Sequence, residues 1–377
     1  ALLYNSIIYT SLLILFPTFL SFQWDIMLIE VAIFSLFLIS PKILVVSPKQ
    51  RYFLHWIQLI PIISLIIRLF YHSAIVKVLS NDSLWLSLTA LDTHLFSQPL
   101  PHFLSYYVHS FIISNNLSVP FLWVMFLVEF LLPFALLLPA YRKIAAFVLI
   151  IFQFTIIFTG NYGFFNFLTI TVLLIPLFIT EQDAHYELSQ SYKFLTLPIL
   201  AIVCINSIFM IPNPHHSLPI AQSIFKKLRI CNQYGLFARM TRNQTGFRLF
   251  VAKTPGVWVP VKLHYFDRWG YPTLSFVHPY HPRIRWQLWF KFLNVRNYPS
   301  WYYNFLRLLA KDPSRLSSIV QSGRYPKENN YVKMCYDNII FDLDKDNSDQ
   351  SIYWEKVGKT QCHMYNVKSN QVSILNR

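Results

Sequence analysis

The sequence predicts an α-helical multi-pass membrane bundle of about seven spans, followed by a small β-rich α+β extramembrane domain. Three observations carry this expectation. The 377-residue chain is 54% hydrophobic and 18% aromatic but only 13% charged, a balance rare in soluble domains. Its apolar residues gather into runs up to residue 212, where a polar, aromatic-rich segment begins. Residues 213–377 hold 24 Lys and Arg against 9 Asp and Glu, so this segment carries the whole formal net charge of +15. The expected division is therefore a bundle at 1–212, interrupted by an extracytoplasmic loop at 71–119, and a lumenal or periplasmic domain at 213–377.

The candidate spans are Ser6–Phe22, Ile26–Val46, Phe53–Tyr71, Pro120–Ala140, Ile144–Thr159, Tyr162–Thr180 and Phe194–Ile211. Several fall short of the ~20 residues that cross a bilayer and need tilt or longer ends. No cleavable signal peptide is expected, because the first run has neither a basic start nor a small-residue cleavage site. Lys42, Lys49 and Arg51 lie between the second and third runs, and Arg142 and Lys143 between the fourth and fifth. The positive-inside rule places both connections in the cytoplasm, which puts the N-terminus inside and the C-terminal domain outside. A long domain translocates largely regardless of its charge, so the basic tail does not oppose this orientation.

Polar residues inside the apolar runs are the informative ones. Asn161 and Asn166 flank the break Gly160-Asn161-Tyr162-Gly163, and unpaired amides are costly in hydrocarbon, so both need partners, expected within the helix bundle. Glu30 and Glu129 are ionisable groups at membrane depth, where a functional role and an ion pair such as Glu30 with Arg68 are the competing explanations. Lys77 closes the third run, a position suited to snorkelling towards headgroups. The loop that follows has extended backbone at Gln98-Pro99-Leu100-Pro101, because a residue before proline is pushed out of the helical region. Its aromatics Trp85, Phe96, Phe103, Tyr106 and Tyr107 suit a membrane interface. In the tail, strands are expected at Phe247–Lys253 and Val257–Tyr265, and helices at Arg285–Val295 and Trp301–Ala310, the second ended by Asp312-Pro313.

These pieces resemble the lipase maturation factor family of multi-pass ER membrane proteins and their bacterial relatives. The resemblance rests on Trp24-Asp25 with Glu30, on Arg68 to Lys77, and on Trp85 to Pro101 with His94, Gln98 and Pro99. It continues at Glu129 within Val128–Pro133, and at Gly160, Asn161, Gly163 and Asn166 within Phe158–Thr169. In the tail it includes Tyr234 and Gly235 within Asn232–Phe237, and Trp286 and Trp289 within His281–Phe290. The chain departs from the family pattern at Asp92–Pro99 and at Arg285, where relatives tend to carry an acid, so a surface contact made through that acid is expected to be absent here. The resemblance implies a chaperone-like factor that helps secreted lipases fold, assemble and leave the ER, with exposed tail aromatics such as Trp286 and Trp289 meeting the client. It implies a client protein and membrane lipid as partners, no cofactor, and an integral membrane location: the ER membrane in a eukaryote, the inner membrane in a bacterium.

Two alternatives belong to other classes. The family is distantly similar to the vitamin K-dependent γ-carboxylase superfamily, in which a lysine near the place of Lys77 acts as a base; a lysine does so only when burial lowers its pKa. A lipid-binding or transport protein would line a path with Glu30 and Glu129, but no internal repeat supports one. No metal site is expected, because the histidines lack the short helical spacing of zinc hydrolases. The tail cysteines Cys231, Cys335 and Cys362 allow one disulfide, with Cys335–Cys362 the favoured pair, and Cys204 lies in the last run. Asn81, Asn116 and Asn243 begin glycosylation sequons on the expected lumenal side. With only eight glycines and no phosphate-binding or nucleophile-elbow motif, nucleotide chemistry is not indicated. The scattered basic charges suit anionic headgroups rather than nucleic acid.

Overall fold

The computed structural model describes residues 2–20, 22–38, 56–178, 232–344 and 353–375. The seventh candidate span, the basic connection at 42–51, Cys204 and Cys231 lie outside the described residues. The chain forms two compact units that do not follow chain order: 1–90, 119–157 and 164–240 make one, and 91–118, 158–163 and 241–377 the other.

The first unit is helical. Its elements are α1 (Leu2–Leu15), α2 (Pro17–Leu20), α3 (Gln23–Ser35), α4 (Trp56–Leu79) and the short α5 (Ser83–Leu86). After 119 it adds most of α8 (Ser118–Phe130), then α9 (Pro139–Thr159) and α10 (Phe165–Phe178). Among the described residues, three helical stretches are long and apolar enough to cross a membrane: Gln58–Leu79, Ser118–Leu137 and Pro139–Thr159. The first expected span is broken instead, because Pro17 lacks an N–H and opens a separate helix after α1 ends at Leu15. The third ends later than hydropathy indicates, since α4 continues past Tyr71 to Leu79 and takes Lys77 into its last turn. Arg142 and Lys143 are not in a loop; α8 runs through a 3₁₀ turn at Leu132–Leu137 and α9 starts at Pro139, so both cations sit on its first turns. The apolar side chains of Trp123, Val124 and Leu127 on α8 are more than half exposed, as a lipid-facing surface requires.

The second unit is built on one antiparallel sheet, ordered β2-β1-β3-β4-β5. The strands are β1 (Gln244–Ala252), β2 (Val259–Val261), β3 (Tyr331–Phe341), β4 (Trp354–Asn366) and β5 (Gln371–Leu375). The expected strand at Val257–Tyr265 is thus reduced to three residues, and β3 to β5 were not legible as strands. Period-two alternation sends Phe247, Leu249 and Val251 of β1 and Val332, Met334 and Tyr336 of β3 to one face. There they pack against α11 (Arg283–Phe292) and α12 (Ser300–Lys311), through Leu288, Phe292, Tyr302, Phe305, Leu306 and Leu309. Asp312 ends α12, and its carboxylate then accepts from the Ser314 N–H at 3.1 Å. A disulfide joins Cys335 to Cys362, which face each other in the β3–β4 register.

The same unit contains helices from the loop after Ala90: α6 (Leu91–Ser97) and α7 (Phe103–Ser114). Phe96 and Tyr106 join Tyr271, Ile339, Phe341 and Trp354 in a second apolar cluster at the far end of β3 and β4. The loop therefore packs on the tail, as their expected common side of the membrane suggests. Of the five aromatics assigned to an interface, Trp85, Phe96 and Tyr106 are buried in protein; Phe103 and Tyr107 are exposed.

Candidate functional site

The residues that carry the family resemblance gather into two clusters, one in each unit. In the first, the Glu30 carboxylate of α3 is fully buried and accepts from the Arg68 guanidinium of α4, also buried. Its second oxygen accepts from the Tyr234 hydroxyl at 2.8 Å and the Asn232 amide at 3.2 Å, while Arg68 also donates to the Asn232 carbonyl at 3.1 Å. A buried charge is tolerated only when paired and hydrogen-bonded, and Glu30 has both. Two turns further along α4, the Lys77 ammonium donates to Glu129 of α8 at 2.5 Å and lies 5.3 Å from the Trp85 ring. Trp85 in turn donates through Nε1 to the Phe237 carbonyl at 3.0 Å. Asp82 caps α5 by accepting from the Leu84 N–H at 2.9 Å and takes the Met240 N–H at 3.0 Å. The segment Asn232–Met240 is thus fixed by Glu30, Arg68, Trp85 and Asp82.

In the second unit, the cluster forms where α9 ends. A helix end leaves its last carbonyls without partners, and where the end is buried, protein groups must satisfy them. The Thr159 carbonyl accepts from Gln98 Nε2 at 2.6 Å and Ser105 Oγ at 2.5 Å. His278 places Nε2 2.6 Å from the Gly160 carbonyl and Nδ1 2.9 Å from that of Gly163. Asn161 is the centre of the cluster. Its amide donates to the Leu100 carbonyl at 3.0 Å and the Ser275 carbonyl at 2.7 Å, and its oxygen accepts from the Val277 N–H at 3.0 Å. Tyr162 donates to Gln98 Oε1 at 2.6 Å, and Gln244 of β1 donates to the Gln98 carbonyl at 2.5 Å. Trp289 of α11 donates through Nε1 to the Ser97 carbonyl at 3.0 Å. Three segments far apart in sequence, 94–106, 158–163 and 272–289, are thereby clamped together.

Both glycines of the break are required by close approach. A Cβ at Gly160 would lie 2.1 Å from Gln98 Oε1. Gly163 has φ of +61°, and a Cβ there would meet the His281 Cβ at 2.9 Å.

Burial disfavours the charged form of two histidines in this unit, His102 and His281. Burial, then the neighbouring His278, pulls His102 down to about 4, and its Nδ1 accepts from the Leu104 N–H at 3.0 Å. Burial, then Arg283, pulls His281 down to about 3. Both folded values lie below the ordinary histidine value near 6.5, so the unfolded chain binds these protons first. Their stabilisation is present above about pH 6.5 and is lost as pH falls, by up to about 1.4 kcal/mol per pH unit for each group. The second unit is therefore expected to melt several degrees lower at pH 5 than at pH 7.5, and His281→Gln to flatten that profile, measured by intrinsic fluorescence in detergent.

Arg285 is the other cost. Its side chain is buried against the Phe266 ring, 4.1 Å from the centroid, and its three nitrogens have no hydrogen-bond partner among the described residues. Burial lowers it to about 9. The Arg285 side chain is 2% exposed, so no surface contact is made through this position. Arg285→Met, which keeps the stem and removes the unpaired charge, is expected to stabilise the second unit by about 1–2 kcal/mol, read as a higher melting temperature.

The structure separates the other sequence-selected residues by role. Trp24 is buried beside Phe165, and Asp25 accepts from the Tyr9 hydroxyl at 2.7 Å. Asn166 donates to Gln153 at 2.8 Å within the helical unit, whereas Asn161 finds its partners in the loop and tail rather than in the bundle. Lys77 does not snorkel: it is 5% exposed and ion-paired. Trp286 and Trp289 are buried too, so neither offers an exposed surface; Trp286 packs beside Tyr162 and His281. His94 lies 3.3 Å from the Tyr162 hydroxyl, Pro99 is buried, and Gly235 is half-buried beside Val76. Asn81, Asn116 and Asn243 are exposed. Among the described residues no group of His, Cys, Asp and Glu is placed to hold a metal ion. Ser105, Gln244 and His278 are clamp residues that sequence reasoning missed; only the sequence signal of a broken span, which needs carbonyl acceptors filled, pointed towards such donors.

Compared with known proteins, the chain matches the lipase maturation factor transmembrane domain over residues 1–184 and the lipase maturation factor C-terminal domain over 230–364. Mouse lipase maturation factor 1 is 28% identical over 371 residues, covering 85% of this chain and 62% of the mouse protein. The bovine protein of that name is 26% identical over 85% of this chain and 63% of its own length. Lipase maturation factor 2 of Xenopus laevis is 30% identical over 50% of this chain and 26% of its own length. The chain thus spans less than two thirds of the curated relatives it matches. No solved structure matches it. With both family domains present in order, and with the residues of the resemblance drawn into two packed clusters, the chain belongs to the lipase maturation factor family.

Proposed function

We propose that this protein assists the folding and assembly of secreted lipases from the membrane of the endoplasmic reticulum, or from the inner membrane in a bacterium. The observation that supports this most is the match to both family domains, since the curated relatives are named for lipase maturation. In this reading the bundle has seven spans with the N-terminus in the cytoplasm. The sheet domain, its disulfide and the three exposed sequons then share the oxidising lumenal side. The secreted lipase is held by lumenal surface rather than by the buried tryptophans, and the clamp around Asn161 keeps that surface in one shape. The clustered polar side chains serve as ties. Lys77 is occupied by Glu129, which disfavours its use as a base, and no substrate chemistry is assigned to it.

Expression in cells that lack their own lipase maturation factors, together with a secreted lipase, tests this. Wild-type protein is expected to raise secreted lipase activity per unit of lipase protein. The paired Lys77→Met, Glu129→Leu variant, which removes the ion pair without stranding either charge, is expected to retain most of that effect. Complete loss in this variant at normal protein level would return Lys77 to a chemical role, and no rescue by wild type would overturn the lipase reading.

A further inference from the structure

We infer that α7 is an interfacial helix that lies in the surface of the lipid bilayer on an aromatic stripe of Phe103, Tyr107 and Phe111. Ser105, Tyr106, His109 and Ile112 of this helix are buried in the second unit. On the opposite side Phe103 is 43% exposed, Tyr107 50% and Phe111 55%. These three positions recur every fourth residue, so they form one continuous face.

The helix has 12 residues. At about 1.5 Å per residue it reaches roughly 18 Å, well short of the roughly 30 Å hydrocarbon core, so it does not cross the membrane. Its last residue, Ser114, is separated by only Asn115, Asn116 and Leu117 from Ser118, where a membrane-length helix begins. A stripe tethered that closely to a span is held within reach of lipid, which selects lipid over a soluble partner. The composition agrees with this choice: Phe and Tyr on one face, with Ser110 and Ser114 beside them, suit the headgroup boundary. The tail extends the stripe through Phe276, half exposed, whose ring lies 5.0 Å from that of His102, itself 4.3 Å from Phe103. Through α7 the sheet domain would rest on the bilayer.

Photolabelling tests this on the full chain in nanodiscs of phosphatidylcholine carrying a diazirine in the acyl chain, with adducts mapped by mass spectrometry. Adducts are expected on Phe103, Tyr107 and Phe111 and not on Tyr106 or His109. The helix Ser118–Leu137 serves as the positive control in the same sample. In a Tyr107→Asp, Phe111→Asp variant, α7 labelling is expected to fall at least fivefold while that control is unchanged. Labelling of Ser118–Leu137 with none on α7 would overturn the inference, as would equal labelling of the exposed and buried faces.

Discussion

Asn161→Ala is expected to destabilise the second unit by about 3–5 kcal/mol, because it removes at once the partner of two carbonyls and one N–H, one of them in a buried bond and two in half-buried ones. Those groups belong to Leu100, Ser275 and Val277, on two segments that this amide ties to each other. Asn161→Asp is expected to be worse than Ala, since it sets a carboxylate against two carbonyl oxygens. Asn166→Ala is the matched control: it removes one hydrogen bond, to Gln153, and is expected to cost about 1 kcal/mol. Thermal melts of the three variants in detergent, followed by tryptophan fluorescence, check the order.

Glu30→Ala is expected to have the second largest effect, about 3–5 kcal/mol, because it leaves the buried Arg68 charge without its partner. The same change frees the Tyr234 hydroxyl and Asn232 amide, so Asn232–Met240 should become sensitive to protease where it was protected. Glu30→Gln keeps one acceptor oxygen but loses the charge and turns the other acceptor into a donor, and should fall between wild type and Ala. The double change Glu30→Leu, Arg68→Leu removes both charges and is expected to recover a large part of the loss, since a buried ion pair is often no better than an apolar pair. Failure of the double change to recover anything would mean that Tyr234 and Asn232, not the charge balance, carry the cost. Expression yield and melting temperature of each variant measure this.

Much of the helical half was legible because apolar runs of nearly bilayer length have few other fates. Their ends were not. Hydropathy scores lipid-facing and core-facing residues alike, so it could not see that α4 continues to Leu79 or that Pro17 divides the first run. The need of Asn161 for partners was readable from the cost of an unpaired amide, but the partners lie 61 and 114 residues away and carry no local signal. Burial of Trp286 and Trp289 was hidden for a related reason: aromatic residues in a basic tail read as a surface until the loop that covers them is placed. The strands β3 to β5 escaped because β4 is largely exposed along Glu355–Gln361, which erases the alternation that marks a strand. Arg285 breaks the pattern outright, and its lack of a hydrogen-bond partner among the described residues could be seen only in the folded chain.

The clamp gives the lipase reading a physical form. Under the proposed function the client is held by a surface of this unit, whose shape is fixed by the ties between loop, helix end and sheet. Loss of the clamp should therefore reduce lipase maturation without touching Lys77 or Glu30.

Hydrogen exchange of the full chain in nanodiscs, wild type against Asn161→Ala, is the most direct test. Simultaneous loss of protection in residues 94–106, 158–163 and 272–282, with Ser118–Leu137 unchanged, is the expected result. Faster exchange confined to 158–163, with the loop and tail segments as protected as in wild type, would show that Asn161 does not hold them together.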